Sequence, residues 1–271
     1  MKNLFYLIMI VFFLYGCNTD DNSGGSDDNG GGGSGSALLV KKIKTNYSDG
    51  SGSSEEIFHY VNNQLIAIEY DCYDIVRYFV YGTSNKVSNS YRFFDGDFDI
   101  NTFNLNDVIN DSETIHTEYI YTNDKLNTIE RDGIVYITFE YNSTGKLRNM
   151  VVNDYHIDTY TITYENDKIS SIFVSDETGD SYVLTFNIDD KINPFHELFR
   201  QFGIIGSDGC NSYYNYMFIG GFPLLENNIV TRFVDNNPRE PATYVYMENG
   251  TPEAISYDGS NGNRYTHYFS Y

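Results

Sequence analysis

One group of acidic residues in this 271-residue chain has the spacing of a metal site. Asp95, Asp97 and Asp99 alternate with other residues, and oxygen ligands at positions 1, 3 and 5 are what a calcium loop requires. However, Ile100 stands where such a loop needs glycine, and no glutamate arrives at position 12. The segment therefore predicts either a weak calcium site or a solvated acidic hairpin tip.

The five histidines fall into no metal or catalytic motif. His196 precedes a glutamate, but the second histidine that a metalloprotease helix needs four residues later is absent. The chain also has no G-x-S-x-G elbow and no glycine-rich phosphate loop after a predicted strand. The absence of these motifs favours a protein that is not an enzyme and holds no cofactor. A catalytic triad is defined by geometry rather than spacing, so a glycan-processing or other hydrolase stays an alternative.

Cys17 has the surroundings of a modified cysteine. Lys2 precedes a run of about a dozen apolar residues, the length of a signal-peptide core and too short to cross a bilayer as a helix. Residues 1–16 are therefore predicted to be a signal peptide. Gly16 lets a peptidase reach the backbone, and the thiol is a nucleophile that can accept a diacylglycerol group.

The segment Leu14-Tyr15-Gly16-Cys17 resembles the lipobox of bacterial lipoproteins. The resemblance implies a lipid on Cys17 and a mature chain that starts there. Each buried CH₂ contributes roughly 0.8 kcal/mol, so more than one acyl chain makes a stable anchor. An ordinary secretory signal followed by an unrelated cysteine is the alternative.

Residues 17–36 are predicted to be the lipidated cysteine and a flexible tether. The nineteen residues after the cysteine contain no apolar side chain, so they cannot offset the entropy of ordering. Asp20 and Asp21 resemble the export signals of surface lipoproteins in Bacteroidetes-type bacteria. This resemblance implies an outer-membrane protein exposed at the cell surface, with the periplasmic face as the alternative. Residues 37–271 are predicted to form one domain.

The net charge of −21 restricts the partners of that domain. Nucleic-acid binding needs a basic surface, and anionic membrane surfaces repel an acidic one. The lipid anchor, a glycan and a peptide remain as predicted partners. Cys72 and Cys210 predict either one disulfide or two buried free thiols in an exported protein.

A short pattern recurs through the domain. The pattern begins with two aromatic or apolar residues that are separated by one residue. A polar turn follows, and after the turn come two apolar residues three positions apart. The seven copies begin at Phe58, Phe79, Tyr119, Phe139, Ile162, Leu184 and Tyr244. For the copy at Leu184, the pattern predicts a turn over 188–190 and a return through Ile192 and Phe195.

Each copy predicts a β-hairpin, because aromatic and β-branched residues at period two favour a strand and Asn, Asp and Gly favour turns. Short links such as Asp132-Gly133 predict an all-β antiparallel meander. The pattern resembles the YD, or Rhs-type, repeat, and the whole layout is similar to uncharacterised Bacteroidetes-type surface lipoproteins. This resemblance implies a sheet-rich surface protein and brings no catalytic residue.

Two segments interrupt the pattern. Residues 95–113 predict a polar loop, and residues 194–203 predict a short helix whose apolar side covers one face of the sheet. The 26 tyrosines predict either structural ladders, with packed rings and solvated hydroxyls, or a stacking surface for a ligand. The favoured hypothesis is a non-enzymatic binding or scaffold module, and a purely structural envelope protein is a further alternative.

Overall fold

The computed structural model describes most of the chain from residue 39 onwards. The described residues are 39–48, 52–71, 73–153, 156–194, 196, 225–239, 241–259 and 262–271. Their backbone is nearly all antiparallel β-sheet, which confirms the predicted fold class. A 3-10 helix lies at Leu105–Asp107, and no helix within these ranges is long and apolar enough to cross a membrane.

Seventeen strands in the described part of the chain form one sheet. In chain order they are β1 (Lys42–Tyr47), β2 (Ser53–Val61), β3 (Gln64–Tyr70), β4 (Ile75–Tyr81), β5 (Val87–Phe94), β6 (Ile115–Thr122), β7 (Lys125–Arg131), β8 (Ile134–Tyr141), β9 (Leu147–Asn153), β10 (Ile157–Glu165), β11 (Lys168–Asp176), β12 (Ser181–Ile192), β13 (Asn227–Val234), β14 (Asn237–Pro238), β15 (Thr243–Tyr246), β16 (Pro252–Asp258) and β17 (Arg264–Ser270). Most hydrogen-bonded neighbours are also consecutive in sequence, so the sheet is a meander.

Six of the seven predicted copies form the expected hairpins, namely β2–β3, β4–β5, β6–β7, β8–β9, β10–β11 and β15–β16. Three of these hairpins, β2–β3, β6–β7 and β10–β11, have tight turns of Asn and Asp, which tolerate a left-handed backbone. Asn123 and Asp124 have φ values of 51° and 63°, and Asn166 and Asp167 have 49° and 67°. Positive φ at both central residues is the geometry of a type I′ turn, whose twist matches that of the strands.

A β-bulge at the same place in each hairpin explains the three-residue spacing in its second strand. Residues i and i+3 lie on opposite faces of a regular strand, yet Leu65 and Ile68 are 0% and 1% exposed. Tyr60 pairs with Leu65. The next inward pair is Phe58 and Ile68, which leaves Ile66 as an extra residue. An extra residue returns the following side chain to the same face. The same register shift occurs next to Tyr81, Tyr121, Tyr141, Tyr164 and Tyr246.

The sheet closes on itself through a hairpin shared between the two ends of the described chain. β1 pairs with β2 on one side and with β17 on the other. Val40 and Ile43 have the three-residue spacing of the apolar pair, and Phe269 and Tyr271 have the spacing of the aromatic pair. Phe269 lies opposite Ile43, as Phe58 lies opposite its own partner in β3. The first and last strands therefore make one more copy of the repeat, which we call the closing hairpin.

Next to β13 in the strand order, β14 and β15 together occupy the position of one strand. Phe233 pairs with Pro238, and the Ala242 N–H donates to the Val230 carbonyl at 2.8 Å. Pairing therefore continues from β13 through β15, β16 and β17 back to β1. A closed sheet leaves no long unpaired edge.

The core lies on the face of the sheet that we call the inner face. The bulged pairs place one side chain from nearly every strand on it, and Leu65, Phe79, Phe139, Ile172 and Leu184 are at most 2% exposed. Full burial of such a side chain stabilises the fold by roughly 1.5–3 kcal/mol. Because the repeat supplies these residues in every hairpin, one apolar cluster extends around the sheet.

The segment predicted as a polar loop, 95–113, also covers part of the opposite, outer face. Phe98 and Phe103 pack against Phe93, and the rings of Phe93 and Phe103 stack with centroids 5.2 Å apart. Ala67 and Val76 lie beneath this second apolar cluster. The polar prediction was wrong on this point, because the apolar residues of the segment are separated by acidic ones and show no period.

The copy predicted at Leu184 does not form. β12 continues through the expected turn to Ile192, which is 68% exposed, and pairs instead with β13. In the register of β12, Phe186 and Ile188 occupy the two aromatic positions, two residues later than the sequence pattern predicts. The predicted covering helix at 194–203 lies outside the described residues, apart from positions 194 and 196.

Candidate functional site

In six hairpins, a tyrosine hydroxyl forms a link to the preceding hairpin. Tyr81 donates to the Leu65 carbonyl at 2.7 Å, and Tyr164 donates to the Leu147 carbonyl at 2.8 Å. The same bond joins Tyr60 to Val40, Tyr141 to Leu126, Tyr244 to Ile229 and Tyr271 to Pro252. The backbones of neighbouring hairpins pair only over a few residues next to the turn that connects them. The tyrosine hydroxyl therefore supplies these carbonyls with a donor that backbone pairing does not provide.

These tyrosines correct the expectation that their hydroxyls are solvated. Burial raises the pKa of Tyr141 to about 12. Burial also raises the pKa values of Tyr60 and Tyr164. The hydroxyls therefore stay protonated and act as donors at any physiological pH. These six tyrosines therefore have a structural role in which the hydroxyl takes part, and the stacking surface for a ligand stays a prediction.

A second link runs along the edge where the hairpin turns lie, which we call the turn rim. In four hairpins, the residue before the apolar pair reaches forward to the next turn. Lys146 donates to the carbonyl and the Oδ1 of Asp167 at 2.9 and 2.6 Å. Lys125 donates to the Gly145 carbonyl at 3.1 Å. Lys86 bonds to the same two groups of Asp124, and Gln64 bonds to Asn85. The rim is thus a row of polar side chains that bind turns.

The three lysines also lie over tyrosine rings, those of Tyr121, Tyr141 and Tyr164. The ammonium nitrogens of Lys86, Lys125 and Lys146 are 5.2, 5.0 and 5.1 Å from ring centroids. A cation over an aromatic face is stabilised by about 0.5–1 kcal/mol at exposed sites. The hydrogen bond of Lys146 lowers the pKa of Asp167, so this carboxyl stays ionised. The rim therefore holds its lysines in defined positions.

A polar cluster explains why β12 runs on instead of turning. The Asp189 carboxylate accepts from the N–H of Lys191 at 2.9 Å and from the N–H of Asn228 at 3.2 Å. The Tyr246 hydroxyl donates to the same carboxylate. Burial, with Asp189 beside it, raises the pKa of Tyr246. Asp189 therefore ties β12 to β13 and β15, where the sequence pattern predicts a turn residue.

Arg77 and His267 are among the polar side chains that are buried on the inner face. Arg77 is 4% exposed and donates to the Tyr119 hydroxyl at 3.3 Å. His267 is fully buried between the Thr45 hydroxyl at 2.9 Å and the Tyr257 hydroxyl at 3.2 Å. Burial lowers the pKa of His267 to about 3, so the imidazole stays neutral. A neutral, enclosed histidine joins the strands of the closing hairpin and is out of reach of a substrate.

The acidic residues of the predicted calcium loop bond within their own loop. Asp95 accepts from the N–H of Asp97 at 3.1 Å, and Asp99 accepts from the N–H of Asn101 at 2.9 Å. The hydrogen bonds from Asn101 lower the pKa of Asp99. Within the described ranges, no three His, Cys, Asp or Glu side chains are grouped to hold a metal ion. Calcium binding stays a prediction.

The cysteines lie outside the described residues. Cys17, the predicted lipid site, and Cys72 and Cys210, the predicted disulfide, are all in this group. Sequence reasoning missed the turn rim altogether. A signal for it is present, because a lysine directly precedes the first apolar residue in five of the predicted copies, at Lys86, Lys125, Lys146, Lys168 and Lys191.

No protein-family model and no curated protein matches the chain. Among solved structures, a porin-like protein from Bacteroides uniformis is similar at 14% identity and a TM-score of 0.40, over 86% of this chain and 98% of that one. A porin-like protein from Bacteroides vulgatus is similar at 14% identity and a TM-score of 0.35, over 86% and 99%. A complex titled TcdB2-TccC3-Cdc42 is similar at 12% identity and a TM-score of 0.25, over 81% and 14%. Similarities at these scores carry no inference about function.

Proposed function

We propose that the protein is an outer-membrane lipoprotein, anchored through Cys17, whose sheet acts as a non-enzymatic binding or scaffold module at the cell surface. The observation that carries the proposal is the closed sheet with its repeated links. Tyrosine hydroxyls join neighbouring hairpins at six places and rim side chains join them at four. Apolar side chains of the chain itself fill the described inner face. Such a frame holds its turns and outer face in fixed positions, which suits display and docking.

The lipid anchor is tested by growing cells with an alkyne-labelled palmitate. The labelled band is expected for the wild-type chain and is expected to vanish for Cys17→Ala. A Cys72→Ala variant is the matched control and should keep the label. Label that persists in Cys17→Ala contradicts the anchor.

Surface exposure is tested by protease treatment of intact cells. Loss of the domain from intact cells supports the surface location, and full protection until the outer membrane is opened supports the periplasmic face. Binding is tested on glycan and peptide arrays with the purified mature chain. An array that stays blank under all conditions supports the alternative of a purely structural envelope protein.

A further inference from the structure

Lys168 is the member of the rim row that has no turn to bind. It precedes Ile169 as Lys146 precedes Leu147. Among the described residues, the next hairpin shows no tight turn at this edge, because β12 continues past residue 188 and Asp189 is tied to β13. Within the described residues, Lys168 makes no hydrogen bond or ion pair, whereas the preceding lysines all reach a turn.

The tyrosine link is missing at the same point. Ile188 pairs with Ile229 and so occupies the position that Tyr164 holds in the preceding hairpin. An isoleucine has no hydroxyl, and no side chain in the described ranges donates to the Ile169 carbonyl. Both links of the repeat are therefore absent between β11 and β12.

A cavity of about 60 Å³ opens where these links are absent. A single water needs roughly 10–15 Å³ of such space, so the cavity holds a group of several heavy atoms. Its lining residues are Tyr164, Asp167, Lys168, Ile169, Ile188, Leu225, Glu226 and Asn227. The walls combine apolar side chains with the ammonium of Lys168, which has no partner among the described residues, and with the carboxylate of Glu226.

We propose that this cavity binds an acidic β-turn of a partner polypeptide. The repeat itself defines the ligand, because Lys86 and Lys146 each bind the carboxylate and the backbone carbonyl of an Asx-containing turn. Lys168 presents the same ammonium to an open space. The inference rests on the proposed function as a binding module and names the kind of partner that such a module takes.

Glu226 favours a polypeptide over a simple anion. Its carboxylate only accepts hydrogen bonds, so it can pair with the N–H groups of a turn, whereas sulfate offers it no donor. Ile169, Ile188 and Leu225 offer apolar contact to the residues that flank such a turn. The combination of one cation, one acceptor and apolar walls matches the groups that a hairpin end presents.

The test uses the full mature chain and a fluorescent, disulfide-cyclised hairpin peptide with an Asn-Asp turn. The peptide is expected to bind the wild-type chain, and the Lys168→Gln variant is expected to bind at least tenfold more weakly. A peptide with an Asn-Asn turn should lose binding to the same extent. Lys168→Arg keeps the charge and should retain binding, while Lys125→Gln, elsewhere on the rim, is the matched control and should bind like the wild type.

A second variant separates loss of the site from loss of folding. Ile188→Tyr is expected to fill the cavity and supply the missing hydroxyl, so it should block the peptide while the melting temperature stays equal or rises. Peptide binding that is unchanged in Lys168→Gln overturns the proposal. The proposal is also overturned if the lipidated wild-type chain does not bind the peptide with the acidic turn. In that case the cavity is covered by residues of the chain itself or is left uncovered. The proposed function fails separately, through the loss of palmitate labelling in the wild type.

Discussion

Two hairpins of this sheet depart from the regular repeat in opposite ways. The closing hairpin has its two strands at opposite ends of the described chain, yet it keeps the buried pair Ile43 and Phe269 and the link from Tyr271. The hairpin of β12 and β13 has its strands much closer in sequence, separated by residues 193–226, yet it loses the tyrosine and lysine links. The difference shows that a hairpin takes the geometry of the repeat when it has the buried pair and the linking tyrosine, whether or not a short turn connects its strands.

The largest expected effect comes from the core of the closing hairpin. Ile43→Ala removes a side chain that is 0% exposed, and substitutions of this kind cost about 2–5 kcal/mol. The matched control is Ile192→Ala in the interrupted hairpin, where the side chain is 68% exposed and the cost should stay within about 0.5 kcal/mol. Urea unfolding of both variants measures the two values. Equal small losses would show that β1 contributes little to the sheet.

The next effect is a pH dependence of the closing hairpin. His267 has a pKa of about 3 in the folded state, whereas an unfolded histidine titrates near 6.5, so the unfolded state binds the proton first as pH falls. Stability is therefore lost below pH 6.5, and His267 accounts for about 2 kcal/mol between pH 7 and pH 5. The free energy of unfolding should fall by that much more in the wild type than in His267→Gln. Parallel pH profiles of the two proteins contradict a buried, neutral imidazole.

A smaller effect is expected from the hydroxyl link. Tyr271→Phe keeps the ring and removes the donor to the Pro252 carbonyl, which should cost about 1 kcal/mol. Tyr164→Phe in a regular hairpin should cost the same, because its bond has the same length and acceptor type. Tyr268→Phe is the control, since this side chain is 46% exposed. A clear cost at position 164 alone would separate the closing hairpin from the repeats.

The smallest effect is a gain in the interrupted hairpin. Ile188→Tyr introduces a hydroxyl at the position from which other hairpins bond to the preceding carbonyl, and the bond should add about 0.5–1 kcal/mol. Thermal melting against the wild type measures the gain. A lower melting temperature would indicate that the distance between β11 and β12 at this point differs from the distance between neighbouring strands of the regular hairpins.

The sequence was sufficient for the parts of the fold in which local signals agree. Aromatic pairs, Asn-Asp turns and the three-residue spacing predicted six hairpins, and the bulge beside Tyr60 explains that spacing physically. The closing hairpin could not be read in the same way, because its halves at Val40 and Tyr271 share no turn. The copy at Leu184 failed because Asp189, a typical turn residue, is bound by distant strands.

The candidate site was harder to predict than the fold for a related reason. Catalytic and metal sites have recognisable sequence motifs, whereas the rim is made of lysines whose role depends on the next hairpin. Lys146 and Lys168 have nearly the same local sequence, Lys-Leu and Lys-Ile, and only the strand pairing shows that one binds a turn and the other faces a cavity. The difference is tertiary, so no local pattern contains it.

Amide hydrogen exchange in β1 and β17 tests the central claim, that the sheet is closed by its first and last strands. Successive N–H groups of an antiparallel strand point to alternate neighbours. A closed sheet therefore predicts slow exchange for both alternating sets in Lys42–Tyr47 and in Arg264–Ser270, comparable with the protection in β8 and β9. Fast exchange of the set in β1 that faces β17, together with the matching set in β17, would show an open sheet and contradict the account.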